Sequence, residues 1–379
     1  MKKELELYIH IPFCIKKCNY CDFLSFGSSK KEREAYLQAL LKEIAYYREL
    51  AEEYIVTSIF IGGGTPTVME GEQIIRLLQG IRGSFRIREE AEITIEVNPG
   101  TVTAETLVAL KGAGVNRLSI GLQSADNSEL ERLGRIHTYE EFLETYTQAR
   151  TVGFLNINVD LISSIPGQTP ASWEETIRQV LKLSPPEHIS AYSLIVEEGT
   201  EFYDQQEKGS LELPDEETER FIYRRTGELL GKAGYHRYEI SNYARAGYEC
   251  IHNLGYWERK EYLGLGLGAA SLIDNNRFSN TKVMAEYLKD PGKSDQQEPI
   301  SMQGQIEEFM FLGLRKAEGI NVQTFKETFG VSVDCVYQKE LDYLKNEQLL
   351  KVAGDYLALT RKGTDLANYV FAKFIIDED

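Results

Sequence analysis

The N-terminal half of the chain alternates short runs rich in β-formers with longer stretches of helical period, and that alternation restricts what it can fold into. Runs at 5–12, 58–62, 92–97, 117–121, 156–162 and 188–196 read as strands. Between them apolar residues recur at spacings of three and four, as in Tyr36, Leu40, Ile44 and Tyr47 after Ser29. Thr138 and Glu141 form a capping box for a helix that ends at Gly153, and Thr169-Pro170 places a cap residue before a first-turn proline. Strand–helix units in succession call for parallel pairing with helical crossovers, because a tight turn cannot bring a parallel strand alongside. An open doubly wound sheet and a partial (β/α)6 barrel both meet that demand. The unusual residues favour the barrel. Cys14, the run Gly62-Gly63-Gly64-Thr65-Pro66, Glu96 with Asn98, Gln123 and Asp160 all follow or close a strand, and a barrel gathers strand ends on one rim.

Cys14-Ile-Lys-Lys-Cys18-Asn-Tyr-Cys21 holds three of the five cysteines. An odd count with three so close argues against a disulfide framework and for metal binding in a reducing, cytoplasmic compartment. Three thiolates on a short loop can each take one iron of a cubane cluster and leave the fourth iron open. An open iron can chelate the amino and carboxylate groups of S-adenosylmethionine (SAM). Structural zinc is the competing chemistry, but it usually takes four ligands in Cys-x-x-Cys pairs and no second pair occurs. Cys250 would have to be recruited in space, in a zinc-stabilised interaction protein.

A net charge of −17 opposes non-specific nucleic-acid binding, which needs clustered Lys and Arg. No uncharged apolar run reaches the ~18 residues of a membrane span. Met1-Lys2-Lys3-Glu4-Leu5 puts a glutamate where an export signal needs its apolar core.

The pattern changes in the second half. A charged amphipathic helix spans 217–232, an aromatic-rich section runs from Tyr235 to Trp257, and glycines crowd 264–268. Residues 289–299 have the composition of a linker. Helices at 307–316, 322–329 and 336–347, a hairpin at 350–359 turning at Gly354-Asp355, and a last helix from Thr364 suggest a winged-helix-like module. Its acidic excess suits a packing role. The expected divisions are a barrel over 1–205, a connecting region over 206–299 and the C-terminal module over 300–379, in an α/β chain whose C-terminal region is mostly helical.

Tyr8-Ile-His-Ile-Pro-Phe-Cys14, the cysteine triad and Gly62-Gly63-Gly64-Thr65-Pro66 resemble the radical SAM superfamily, in its oxygen-independent coproporphyrinogen III oxidase-like branch. The resemblance covers essentially the whole chain. It implies a partial-barrel fold, a [4Fe–4S] cluster on Cys14, Cys18 and Cys21, and a SAM site lined by Tyr8, Tyr20, Gly63, Gly64, Thr65, Glu96, Gln123, Arg135 and Asp160. The residue types suit that use: glycine lets backbone approach a ligand closely, and a carboxylate suits an aminoacyl or ribose group. Oxidases of the branch carry a further cysteine two residues after the triad, where this chain has Phe23, and an extension before the first strand. Both departures count against decarboxylation. His252-Asn253-Leu254-Gly255-Tyr256-Trp257 instead matches the His-Asn-x-x-Tyr-Trp motif of the branch's heme chaperones. A neutral imidazole is a natural axial ligand for heme iron, and Tyr and Trp rings offer flat apolar surface. The resemblance therefore implies heme contacting His252 and passing to acceptors such as respiratory hemoproteins, with membrane contact peripheral at most. An oxidase, or another radical SAM enzyme acting on a tetrapyrrole, stays open. His10, His137, His188 and His236 have no comparable context.

Overall fold

Leu5, Leu7, Ile9 and Ile11 alternate with Glu6, Tyr8 and His10, so the first strand has one aliphatic and one polar face. The computed structural model, which describes residues 2–376, repeats that division across six parallel strands. These are β1 (Lys3–Ile11), β2 (Tyr54–Gly63), β3 (Ile87–Val97), β4 (Arg117–Gln123), β5 (Ile157–Ser163) and β6 (His188–Ser193). They pair in chain order as the staves of a partial barrel. On the outer face Leu7, Ile59, Ile95, Ile120 and Val159 are fully buried in one core with the crossover helices. The inner face is polar. Register sets Glu6 beside Ser58, Ser58 beside Glu92, Ser119 beside Asn158, and Asn158 beside His188. A parallel sheet covered on both faces is normally aliphatic throughout. A polar inner wall marks an enclosed site.

The crossover helices start and stop where their caps dictate. Ser29 and Glu32 cap Lys30–Tyr46 reciprocally, as Thr138 and Glu141 do for Tyr139–Val152. The latter helix ends at Gly153 with a left-handed φ of 94°. Strands β2 and β3 begin earlier than their apolar runs suggest, at Tyr54 and Ile87.

Six further strands extend this sheet to twelve. β7 (His236–Arg237) and β8 (Asn242–Ala244) lie beyond β6. β9 (Tyr262–Leu265), β10 (Ala270–Ile273), β11 (Asn276–Asn280) and β12 (Ser294–Pro299) lie beyond β1. The linker expected over 289–299 is therefore corrected: its second half pairs with β11 as the edge strand. Its polar composition suits an edge, where the exposed backbone must not recruit another chain.

Residues 302–374 build a separate core around Met310, Phe325, Leu341, Leu344 and Phe374. A three-stranded sheet of Ile320–Asn321, Tyr356–Leu359 and Leu350–Ala353 completes it. This module grips the segment at the end of the Ile251–Trp257 helix through Arg259–Glu308 at 2.7 Å, Lys316–Glu258 at 3.2 Å and the Arg315 guanidinium 5.2 Å over the Trp257 ring. Among the described residues no helix is long and apolar enough to cross a membrane.

Candidate functional site

The cysteine loop leaves the end of β1 and is fastened at several points. Cys14 N–H donates to Phe26 O, Asn19 N–H to Leu133 O and Phe202 N–H to Asn19 O, each at 3.0 Å. Cys14, Cys18 and Cys21 are free and partly exposed. Cys14 Sγ lies 3.5 Å from Thr65 Oγ1, and Arg135 Nη1 lies 3.7 Å from Cys18 Sγ. Asn98 joins the two sides: its amide donates to Thr65 Oγ1 at 2.7 Å and its oxygen accepts from Arg135 Nη2 at 2.8 Å. Sequence reasoning saw Asn98 only as a neighbour of Glu96. Gly121 is a second omission, since a Cβ there would meet the Gln123 amide at 2.9 Å and Asn98 Oδ1 at 3.2 Å.

The glycine run bends over the same rim. Gly63 has a φ of 112°, and its N–H donates to Glu96 Oε2 at 3.1 Å. A Cβ on Gly63 would sit 2.6 Å from the His10 ring, and one on Gly64 would sit 2.7 Å from Phe13 O. His10 is a strap: one ring nitrogen is 3.0 Å from Tyr8 OH and the other 2.9 Å from Leu24 O of the cysteine loop. Burial, with Asp160 nearby, pushes the Glu96 carboxyl up to about 8. Asp160 accepts from Ser119 Oγ and from the Asn158 amide, both at 2.8 Å. Burial raises the Tyr20 hydroxyl above its usual range beside Arg135, and Gln123 turns through a left-handed φ of 71°. The expected SAM-site residues thus share one mouth.

These residues fit a cluster with SAM. Burial pushes the Cys21 thiol up to about 11, and iron bound there would supply the opposing charge that a thiolate needs. Arg135 Nε is buried without a partner beside Cys18. Among the described residues no three His, Cys, Asp or Glu side chains converge on a single metal ion. A cubane asks for something different, one thiolate at each of three irons. Cys14, Cys18 and Cys21 would hold the iron, with Glu96 and the Gly63-Gly64 backbone on the side of SAM.

His252 lies at the other end of the barrel. It sits in the helix Ile251–Trp257, which closes the floor against Glu6, Ser58 and Glu92. Ser58 and Glu92 precede Gly62 and Glu96 by four residues on β2 and β3, about 13 Å at the rise of a strand. The His252 ring is 1 % exposed, its Nδ1 is 2.8 Å from Ser58 Oγ, and Nε2 has no partner. Burial and the Arg117 charge push it down to about 3, so the imidazole is neutral. Glu92 receives the Cys250 thiol at 3.3 Å and the Ile251 and His252 N–H groups at 3.2 Å. Arg117 Nε stands 4.0 Å from that carboxylate. Tyr256 meets the His252 ring edge-on at 4.9 Å, whereas Trp257 faces the C-terminal module. The structure does not bring His252 to the cysteine rim. Glu6, Ser58, Phe60, Glu92 and Arg117, its surroundings, were missed in the sequence; for the four polar ones, alternation with aliphatic residues along the strands was the available signal.

A family model of the radical SAM superfamily matches residues 8–180, and one of the HemN C-terminal domain matches 300–366. The chain is 36 % identical over 380 residues to the heme chaperone HemW of Lactococcus lactis, covering 100 % of this chain and 99 % of that one. It is 39 % identical to HemW of Bacillus subtilis, over 97 % and 98 % of the two chains. For HemW of Escherichia coli the identity is 35 %, over 98 % of each. Among solved structures, coproporphyrinogen III oxidase (HemN) from Escherichia coli superposes with a TM-score of 0.87 at 25 % identity, over 99 % of this chain and 90 % of that one. The chain belongs to the HemW family of radical SAM proteins.

Proposed function

We propose that this chain is a heme chaperone, binding heme and delivering it to acceptor hemoproteins, with a [4Fe–4S] cluster and SAM at the barrel mouth. Identity of 36 % along the whole chain to a protein named as a heme chaperone carries that conclusion. When bound, the reduced cluster can supply an electron for cleaving the sulfonium of SAM. The chain's own part is to hold iron on three thiolates, seat the aminoacyl group against Gly63 and Glu96, and keep the Arg135 charge beside Cys18. His252 is our assignment for the heme contact, because a neutral imidazole with an unspent Nε2 suits axial ligation. The ring is enclosed, so ligation requires the Ile251–Trp257 helix to lift from the floor. We place the protein in the cytoplasm, since free cysteines destined for a cluster call for a reducing compartment. Acceptors would include respiratory hemoproteins, reached by peripheral membrane contact at most. Nucleic acid does not fit a chain of charge −17.

An anaerobic heme titration of the cluster-reconstituted protein, beside His252→Ala, tests this. A saturable Soret change that weakens in the variant supports the assignment. An unaltered change would move heme elsewhere, first to the exposed Ile15, Phe23 and Ile136 near the cysteine rim. Absence of specific binding would favour the oxidase that the likeness to HemN suggests, checked by SAM-dependent loss of carbon dioxide from coproporphyrinogen.

A further inference from the structure

We propose that His252, in the closed floor, is also a positioning residue for the SAM rim, acting through the ring of Phe60. The inference rests on the cluster-and-SAM assignment of the mouth and not on heme. The two rings stack with centroids 5.3 Å apart and planes 24° from parallel. Along β2 Phe60 stands between Ser58, which holds His252, and Gly62: Phe60 Cε1 lies 2.9 Å from the point a Cβ on Gly62 would occupy, and the Glu96 carboxyl carbon lies 3.0 Å from the same point. One ring therefore separates His252 from the glycine run and from the carboxyl that accepts Gly63 N–H. Phe60 also stacks on Tyr8, at 6.5 Å and 27°, and Tyr8 and His10 lead to Leu24 in the cysteine loop.

Beneath Phe60 lies a flat ring held in one plane, and an aliphatic filler would not reproduce that face. Glu92 holds the helix through the His252 backbone N–H and Tyr256 bears on the ring from the edge, contacts an aromatic ring at 252 keeps, while Ser58 Oγ adds a bond to Nδ1. The plane of the imidazole is thereby set, and with it the plane of the ring above. Gly62 and Gly63 are held by backbone pairing with β1 and by the Glu96 acceptor, with no side chains of their own to add to this, so the ring that backs them bears on their exact placement. Removing His252 leaves a cavity into which Phe60 can drop. The glycine run and Glu96 then lose their support, and a small misplacement at a binding site is costly.

SAM affinity by equilibrium dialysis is the test, on the anaerobically reconstituted full chain. The electron paramagnetic resonance of the reduced cluster is recorded with and without SAM. His252→Ala should keep its iron and sulfide, lose roughly tenfold in SAM affinity, and show a smaller SAM-induced change in the cluster resonance. His252→Phe restores a ring without a nitrogen, and should return to within about twofold of wild type. Phe60→Leu provides a second route should His252→Ala fold poorly, and should reproduce the loss. The double variant should bind SAM no worse than Phe60→Leu alone, since both act through one contact. Wild-type affinity in either single variant with an intact cluster, or additive losses in the double, overturns the proposal. Failure of the wild type itself to bind SAM would overturn the assignment beneath it. Heme enters none of these measurements, and His252→Phe divides the two roles: it keeps SAM and loses a nitrogen-dependent Soret change.

Discussion

The two ends of the barrel use the same strands in opposite ways. At the mouth, thiols stay partly exposed, glycines at 63 and 64 clear space, and polar groups point where a ligand can arrive. At the floor, polar groups are turned on one another: Glu92 alone gathers a thiol and two N–H groups, with Arg117 beside it. Polarity by itself does not make a site. A buried group whose hydrogen bonds are spent on neighbours is architecture, and one with bonds unspent is a candidate for function. By that measure the floor is not wholly architecture, because both Glu6 oxygens and His252 Nε2 lack partners.

Cys18→Ala gives the largest separation of the two ends. Iron and sulfide should fall to background while the urea midpoint of the metal-free chain holds. Full retention of iron would remove the cluster from the mouth. Next comes Arg117→Met at the floor, which leaves the Glu92 carboxylate buried without its countercharge. Losing one partner of a buried pair costs about 3–5 kcal/mol, read from urea unfolding. A loss below about 1 kcal/mol, the range of exposed pairs, would show that the floor does not depend on that charge.

The mouth was legible where its residues fall in short contiguous motifs at strand ends, as Cys14, Gly63 and Glu96 do. Asp160, expected to close its strand, stands in the middle of β5, and Tyr20 and Arg135 lie off the strands, where the resemblance alone pointed to them. Helix boundaries were legible for a similar reason, since a cap such as Thr138 with Glu141 is local chemistry. The floor was not. The His252 motif reads as one stretch, yet its partners Glu6, Ser58 and Glu92 stand on three strands, and only the register aligns them. β12 was hidden differently. Its pairing with β11 uses backbone groups that no side-chain pattern reports, so Ser294–Pro299 carries the composition of a linker.

Gly255→Ala probes how tightly the floor is closed. A Cβ there would overlap the Glu6 carboxyl, which explains a glycine inside the motif helix. Overpacking should cost about 1–3 kcal/mol of stability. The cost should largely vanish in a Glu6→Ala background, because the clash has a single partner. An equal cost in both backgrounds would mean that the penalty lies in the helix and not in its contact with β1.

The smallest effect is a slope with pH, and it sharpens the comparison most finely. Burial pushes the Glu6 carboxyl from its ordinary value of 4.5 up to about 8. Between those values the folded chain keeps a proton that the unfolded chain releases. Stability therefore falls as pH rises through that window, by at most about 1.4 kcal/mol per unit. Glu6→Gln carries no such proton, so it should match the wild type below about pH 4 and exceed it increasingly toward pH 8. Glu96 at the mouth is also pushed up to about 8, and Glu96→Gln should flatten the slope in the same direction. The two variants part in what else they change. Glu96→Gln alters the group that receives Gly63 N–H and should weaken SAM binding directly, whereas Glu6→Gln should leave it intact. A constant stability difference between wild type and Glu6→Gln across the window would mean that the floor carboxyl meets water.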